Sequence, residues 1–148
     1  MRTVAIIGAG IGAEHLAAYA GLGDRFQVKT VCDLDEGRGR ALADQYGVSY
    51  VRDLDQVLAD GSVDIVDICL PPHLHMTACV AALEAGKITV CEKPLVGSLA
   101  EADDLADVIA RTNGRLFPVF QYRYGIGTAQ LRALMDPASR TVSILLPS

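Results

Sequence analysis

Short runs of β-branched and apolar residues alternate along the chain with stretches whose apolar positions recur at helical spacing. That alternation predicts parallel strands joined by crossover helices, with both faces of the sheet covered. Strands are expected at Thr3–Ile7, Gln27–Cys32, Ser49–Val51, Ile65–Leu70, Ile88–Cys91 and Leu116–Phe120. Between them Leu16, Ala17 and Ala20 mark one helix face, Met76, Cys79, Val80 and Leu83 a second, and Leu99, Ala102, Leu105, Ala106 and Ile109 a third. Ser98 followed by Glu101 fits a capping box, and Gly47 and Gly86 close two helices. The pattern predicts an α/β fold, a doubly wound parallel sheet of six strands with helices on both faces. After Phe120 a helix is expected over 128–135, and the closing RTVSILLPS could start another strand.

Composition narrows the partners more than the fold. A chain of 148 residues with 51% hydrophobic and 21% charged residues has the make-up of one globular domain. Its net charge of -5 offers no electrostatic footprint for nucleic acid or an anionic membrane, so the expected partners are small molecules. The start MRTVAIIGAG lacks the apolar stretch and cleavage site of a signal peptide, and no segment approaches the roughly 20 apolar residues of a membrane helix. A cytoplasmic location is the expectation. Cys32, Cys69, Cys79 and Cys91 are too widely spaced for a zinc site or a disulfide framework and are expected as reduced core thiols. No metal site is expected.

Gly8-Ala9-Gly10-Ile11-Gly12-Ala13 follows the first strand and opens a helix, matching G-x-G-x-x-[GA] at Gly8, Gly10 and Ala13. In such a Rossmann turn Gly8 permits the tight bend, Gly10 lets backbone approach a pyrophosphate, and Ala13 allows close helix packing. The helix N-terminus then presents free N–H groups to the phosphates. Ile11 and Gly12, inside the same turn, belong with the binding residues. Asp33 ends the second strand about 20 residues later, where a carboxylate accepts hydrogen bonds from the adenosine ribose and repels a 2′-phosphate. With Leu34 beside it, that position favours NAD over NADP. Arg38 is near enough in sequence to reach a phosphate, although an exposed helix position is the plainer expectation. A Gly-rich first turn and an acidic second-strand end also occur in S-adenosylmethionine sites, so a methyltransferase-like domain stays open here.

The fourth and fifth strands end in Cys69-Leu70-Pro71-Pro72-His73-Leu74-His75 and Val90-Cys91-Glu92-Lys93-Pro94. Both lie at the carboxyl ends of parallel strands, where ligands bind in open α/β sheets. His73 is expected to be exposed. Asp64 and Asp67 flank an apolar strand and are expected as turn and strand-end residues rather than a catalytic carboxylate pair.

Taken together, GAGIGA, VCDLD, VDIVDICLPPHLH, ALEAGK and CEKPL, in this order from Arg2 to about Met135, resemble the Gfo/Idh/MocA family, the glucose-fructose oxidoreductase and inositol dehydrogenase type. The resemblance implies that Lys93 is the catalytic lysine beside the nicotinamide, where a mobile ammonium orients substrate and assists proton transfer. It implies that Glu92 belongs to the cofactor site, that Pro94 follows a cis peptide, and that Leu70, Pro71 and His75 border the cofactor. A backbone-capping role for His75 weighs equally. Arg123 matches an Arg that follows the sixth strand near the nicotinamide, though Arg among tyrosines also makes ordinary stacked contacts. Ile88 stands where the family often has His. Relatives continue into an α+β substrate domain, so residues 1–120 are expected to form the NAD(P)-binding domain. Residues 121–148 would be a connecting segment and the truncated start of that otherwise absent domain. The implied activity of the full-length parent is hydride transfer at a sugar- or polyol-like CH–OH group, with a homo-oligomer as one option for its assembly. A nucleotide-binding module without turnover is the alternative.

Overall fold

A computed structural model describes residues 1–134. Six strands, β1 (Arg2–Ile7), β2 (Phe26–Cys32), β3 (Ser49–Val51), β4 (Ile65–Ile68), β5 (Ile88–Cys91) and β6 (Leu116–Pro118), form one parallel sheet in the order β3-β2-β1-β4-β5-β6. The helices are α1 (Gly12–Ala20), α2 (Glu36–Tyr46), α3 (Leu54–Ala59), α4 (His75–Glu84), α5 (Leu99–Thr112) and α6 (Ile126–Leu134). The order reverses between β1 and β4, which opens a crevice at their carboxyl ends.

The period-2 geometry of β1 divides the core. Val4 and Ile6 pack with Leu16 of α1 and Leu42 and Ala43 of α2, while Ala5 and Ile7 pack with Val57 of α3, Cys79 and Leu83 of α4, and Leu105 and Val108 of α5. Both faces of the central strands are therefore buried, as their near-continuous apolar runs require.

The structure revises several boundaries and faces. β4 stops at Ile68, two residues before the expected end, because after Cys69 N–H reaches Ile7 O at 2.8 Å the chain turns through Pro71 into a short 3-10 turn, Pro72–Leu74. β6 stops at Pro118, since after Val119 N–H bonds Cys91 O at 2.8 Å the backbone leaves the sheet for a second 3-10 turn, Gln121–Tyr124. On α1, Ala17 and Ala20 are exposed, and the buried face is Gly12 and Leu16 with Tyr19 packed beside them. On α5, Leu99 at the first helical position is exposed and Val108 is buried instead. Ser98 Oγ accepts from Glu101 N–H at 3.2 Å, but the returning carboxylate takes Gly97 N–H rather than Ser98 N–H. Gly47 and Gly86 adopt left-handed backbone after α2 and α4. α3 has no counterpart in the sequence reading, although Asp53, which caps it by accepting Asp55 N–H, with Leu54, Val57 and Leu58 at i+1, i+4 and i+5, is a legible helix start. The expected helix over 128–135 corresponds to α6, whereas Met135 and the expected strand in RTVSILLPS lie outside the described residues. All four cysteines are buried and unpaired by disulfide.

Candidate functional site

The crevice is built first by glycines, and each has a different reason. Gly8 has φ +99°, and a Cβ there would stand 2.5 Å from the Cys69 carbonyl oxygen, so neither backbone nor space admits another residue. A Cβ on Gly10 meets nothing within 4 Å, so on the protein side this position faces open space. On Gly12 a Cβ would lie 2.6 Å from Ile6 Cγ2. Close packing of α1 on β1 thus rests on Gly12, not on Ala13, which is only half-buried. Ile11, at the N-cap of α1, is half-exposed at the mouth of the turn.

Asp33, just beyond β2, is buried and faces this turn. Its Oδ2 accepts Ala9 N–H at 2.7 Å and its Oδ1 accepts Asp35 N–H at 2.8 Å. Arg38 holds the exposed helix position expected of it, its side chain 55% exposed, and its head group turns back to the carboxylate: Nε donates to Asp33 Oδ2 at 3.1 Å and Nη2 to Oδ1 at 2.9 Å. Arg38 lies in the first turn of α2, five residues after Asp33, and capping of the helix by Asp35, which accepts Arg38 N–H, sets that approach. Burial alone would raise the Asp33 pKa, but the Arg38 guanidinium and the two backbone N–H groups outweigh it and hold the carboxyl below its ordinary range.

Two adjoining hollows extend from this point. One of about 380 Å³ is lined by Gly8, Gly10, Ile11, Arg38 and Pro71. The other, about 750 Å³, runs on past Arg52, Leu54, Thr77 and Ala81. They share Asp33, Leu34, Leu70 and Leu74, so they form one groove across the carboxyl ends of β1, β2 and β4. The residues of its far end, on α3 and α4, escaped the sequence reading because they carry no motif.

At the other end, His75 is fully buried, with Nδ1 2.7 Å from Pro94 O and Nε2 2.7 Å from Leu70 O. The ring therefore ties the segments after β4 and β5 together and does not line either hollow of the groove. Lys93-Pro94 is a cis peptide. Lys93 is exposed and shares a hollow of about 350 Å³ with Pro94, Phe120, Gln121 and Tyr122. Arg123, exposed in the adjacent 3-10 turn, is not among the residues lining that hollow. His73 is exposed as expected.

Glu92 is buried, and its Oε2 accepts Lys93 N–H at 2.9 Å while Oε1 meets His15 Nε2 at 3.2 Å. The other ring nitrogen of His15 lies 2.9 Å from Asp67 Oδ2. Asp67 is thus no turn residue: it sits within β4, 1% exposed, and pairs with a histidine that sequence reading passed over. An acidic residue inside an apolar strand was the available signal. Asp67 hydrogen bonding outweighs burial and raises the His15 pKa above its ordinary value, with Glu92 adding to it. Cys69 Sγ is 3.4 Å from His15 Nδ1, so His15, Asp67 and Cys69 offer ligand atoms within 4.8 Å of one another. Both ring nitrogens are, however, already held by carboxylates, and burial pushes the Cys69 thiol up, away from the thiolate a metal needs. Burial likewise raises Cys32 to about 12.

The profile described as "Oxidoreductase family, NAD-binding Rossmann fold" matches residues 2–120. The chain belongs to the Gfo/Idh/MocA family of oxidoreductases. Among Gfo/Idh/MocA proteins it is 32% identical over 135 residues to inositol 2-dehydrogenase of Salmonella typhimurium, covering 88% of this chain and 40% of that one. It is 34% identical over 131 residues to D-glucoside 3-dehydrogenase of Escherichia coli, covering 87% and 37%. The WlbA dehydrogenase of Chromobacterium violaceum, solved with NADH and UDP-GlcNAcA, superposes with a TM-score of 0.83 at 29% identity, over 90% of this chain and 39% of that chain. The chain spans about two fifths of the length of these relatives. None of these comparisons supports the methyltransferase alternative.

Proposed function

We propose that this chain is the NAD-binding half of a dehydrogenase that moves hydride between a sugar- or polyol-like CH–OH carbon and nicotinamide, and that by itself it binds nucleotide without a complete catalytic site. The carrying observation is the open Cβ position of Gly10 beside the buried Asp33 carboxylate, which fits a pyrophosphate close to backbone and a ribose beyond it. Gly8, Gly10, Ile11 and the α1 N-terminus hold the phosphates, and Asp33, Leu34 and Arg38 meet the adenosine ribose. The larger hollow takes the adenine. Bound nicotinamide supplies the hydride chemistry.

Lys93 is read as the catalytic lysine, its ammonium holding the substrate hydroxyl and easing departure of its proton. Leu70, Pro71, Glu92 and Arg123 are assigned to the rim of the nicotinamide site, and His75 to its support. Residues 1–120 make the nucleotide-binding domain, and 121–148 lead toward a substrate domain in the parent. The exposed Phe120 and Tyr122, which share the hollow with Lys93, support a covering domain or a homo-oligomer contact on that side. A cytoplasmic location is part of the same proposal; among the described residues no helix is long and apolar enough to cross a membrane.

Titration of the purified chain with NADH, NADPH and S-adenosylmethionine tests the reading. Saturable NADH binding without S-adenosylmethionine binding is expected, and no steady NADH production from NAD with inositols or sugars. Positioning of the reacting carbon is worth roughly 7–11 kcal/mol and needs more than Lys93. Turnover by the chain at its intact mass, or absence of nucleotide binding, would overturn it.

A further inference from the structure

His15 stands in the first turn of α1, and its ring lies between two buried carboxylates. Nδ1 is 2.9 Å from Asp67 Oδ2 in β4, and Nε2 is 3.2 Å from Glu92 Oε1 just beyond β5. Asp67 is 1% and Glu92 7% exposed. An ionised carboxylate only accepts, so both contacts are hydrogen bonds when the ring is the imidazolium, with an N–H on each nitrogen; the neutral ring would turn a lone pair toward one of the two buried charges. The other Glu92 oxygen, Oε2, accepts Lys93 N–H at 2.9 Å. One tie thus runs from α1, through the ring and the carboxylate, to the backbone of Lys93, joining His15 to Glu92 across 77 positions of the chain. The remaining groups about the ring do not take its place. Cys69 Sγ is 3.4 Å from Nδ1, but burial pushes its thiol up, and burial does the same to Tyr19 beside Asp67. Glu14 is exposed on the hollow of about 490 Å³ that it shares with His15.

We infer that His15 is the positioning residue of Lys93: as the imidazolium it holds the Glu92 carboxylate in the orientation that fixes the Lys93 backbone, and so sets the lysine against the helix whose N-terminus takes the phosphates. The inference rests on the reading of Lys93 as the catalytic lysine. The Lys93 side chain is itself exposed, so its place is governed through the backbone. His75 secures Pro94 from α4, whereas His15 acts from α1, which puts one helix behind both the nucleotide and the lysine. A neutral amide cannot do the same, because glutamine carries its donors on one nitrogen and would present its carbonyl to the second carboxylate.

The test is a pH titration of the isotope-labelled chain by NMR, following the His15 ring and the backbone amides of Lys93 and Ala9. Ala9 N–H bonds Asp33 in the same crevice and serves as the control for a general change in the fold. Above the ordinary histidine value of 6.5 the Lys93 amide is expected to move with the midpoint of the His15 ring, and Ala9 is expected not to. Asp67→Asn should lower both midpoints together, since it removes a partner of the ring without touching Glu92. Glu92→Gln should lower the ring midpoint and release the Lys93 amide from it, and His15→Gln should leave that amide with no transition in this range. Circular dichroism checks that each variant is folded, and the wild-type comparison decides by itself where one is not. A Lys93 amide unmoved through the ring transition in wild type, or midpoints that separate in Asp67→Asn, would overturn the inference. NADH titration of the same wild-type sample reads the nucleotide site separately: coincident midpoints without NADH binding would support the tie and overturn the dehydrogenase reading.

Discussion

The buried ring of His75 and the carbonyl of Pro94 are joined by a 2.7 Å hydrogen bond that fixes the Lys93-Pro94 segment to the start of α4. With Leu70 O 2.7 Å from the other ring nitrogen, one side chain stands between both loops that border the crevice. His75→Ala should leave the carbonyl that takes the ring N–H without its donor and a cavity at a fully buried position. A loss of about 2–5 kcal/mol is expected in urea unfolding. A loss under about 1 kcal/mol would mean that the two loops are held by something else.

The glycines of the first turn should separate stability from binding. Gly8→Ala must place a Cβ 2.5 Å from the Cys69 carbonyl at φ +99°, so a stability loss of at least about 1–3 kcal/mol is expected. Gly10→Val meets no protein atom near its Cβ and should stay within about 0.5 kcal/mol of wild type while losing nucleotide binding. Thermal unfolding and NADH titration of both variants check this, and undiminished NADH affinity in folded Gly10→Val would refute the phosphate turn.

His15 should make stability depend on pH on the alkaline side. Its folded pKa is raised, chiefly by Asp67, so the stabilisation is fully present below the unfolded value of 6.5 and is lost as pH rises through the folded pKa. Urea unfolding at successive pH values above 6.5 should show a decline with a slope of at most about 1.4 kcal/mol per pH unit, the limit for one proton. His15→Gln should remove that slope. An identical slope in the variant would assign it to another group.

Asp33 works in the opposite direction. Its folded pKa is depressed: burial opposes the shift, but Arg38 and the two backbone donors prevail, so its contribution is present above the unfolded value of 3.8 and disappears as pH falls through the folded pKa. Acid unfolding of Arg38→Ala should begin at higher pH than in wild type, because the pair that depresses the carboxyl is gone. Superimposable acid transitions would show that the ion pair contributes nothing in solution.

The sequence by itself determined the alternation of elements, and with it the sheet and its crevice, because strand and helix periods are local and the central strands β1 and β4 are buried apolar runs. It also determined the turn at Gly8 and Gly10 and the acidic strand end at Asp33, since spacing along one βαβ unit places them together. Side-chain partnerships across the fold were decided only by tertiary structure. Nothing local in His15 points to Asp67 and Glu92, which lie 52 and 77 residues away, or distinguishes Gly12 from Ala13 as the residue against Ile6. Helical spacing marked Ala17 and Leu99 as core positions, but α1 packs through Gly12 and Leu16 and α5 begins at Leu99, which left both in solvent. Arg38 is the telling case: its position on α2 looked exposed, and it is, yet the buried carboxylate five residues before it holds its head group, because a carboxylate taken out of water needs a charged or hydrogen-bonded partner.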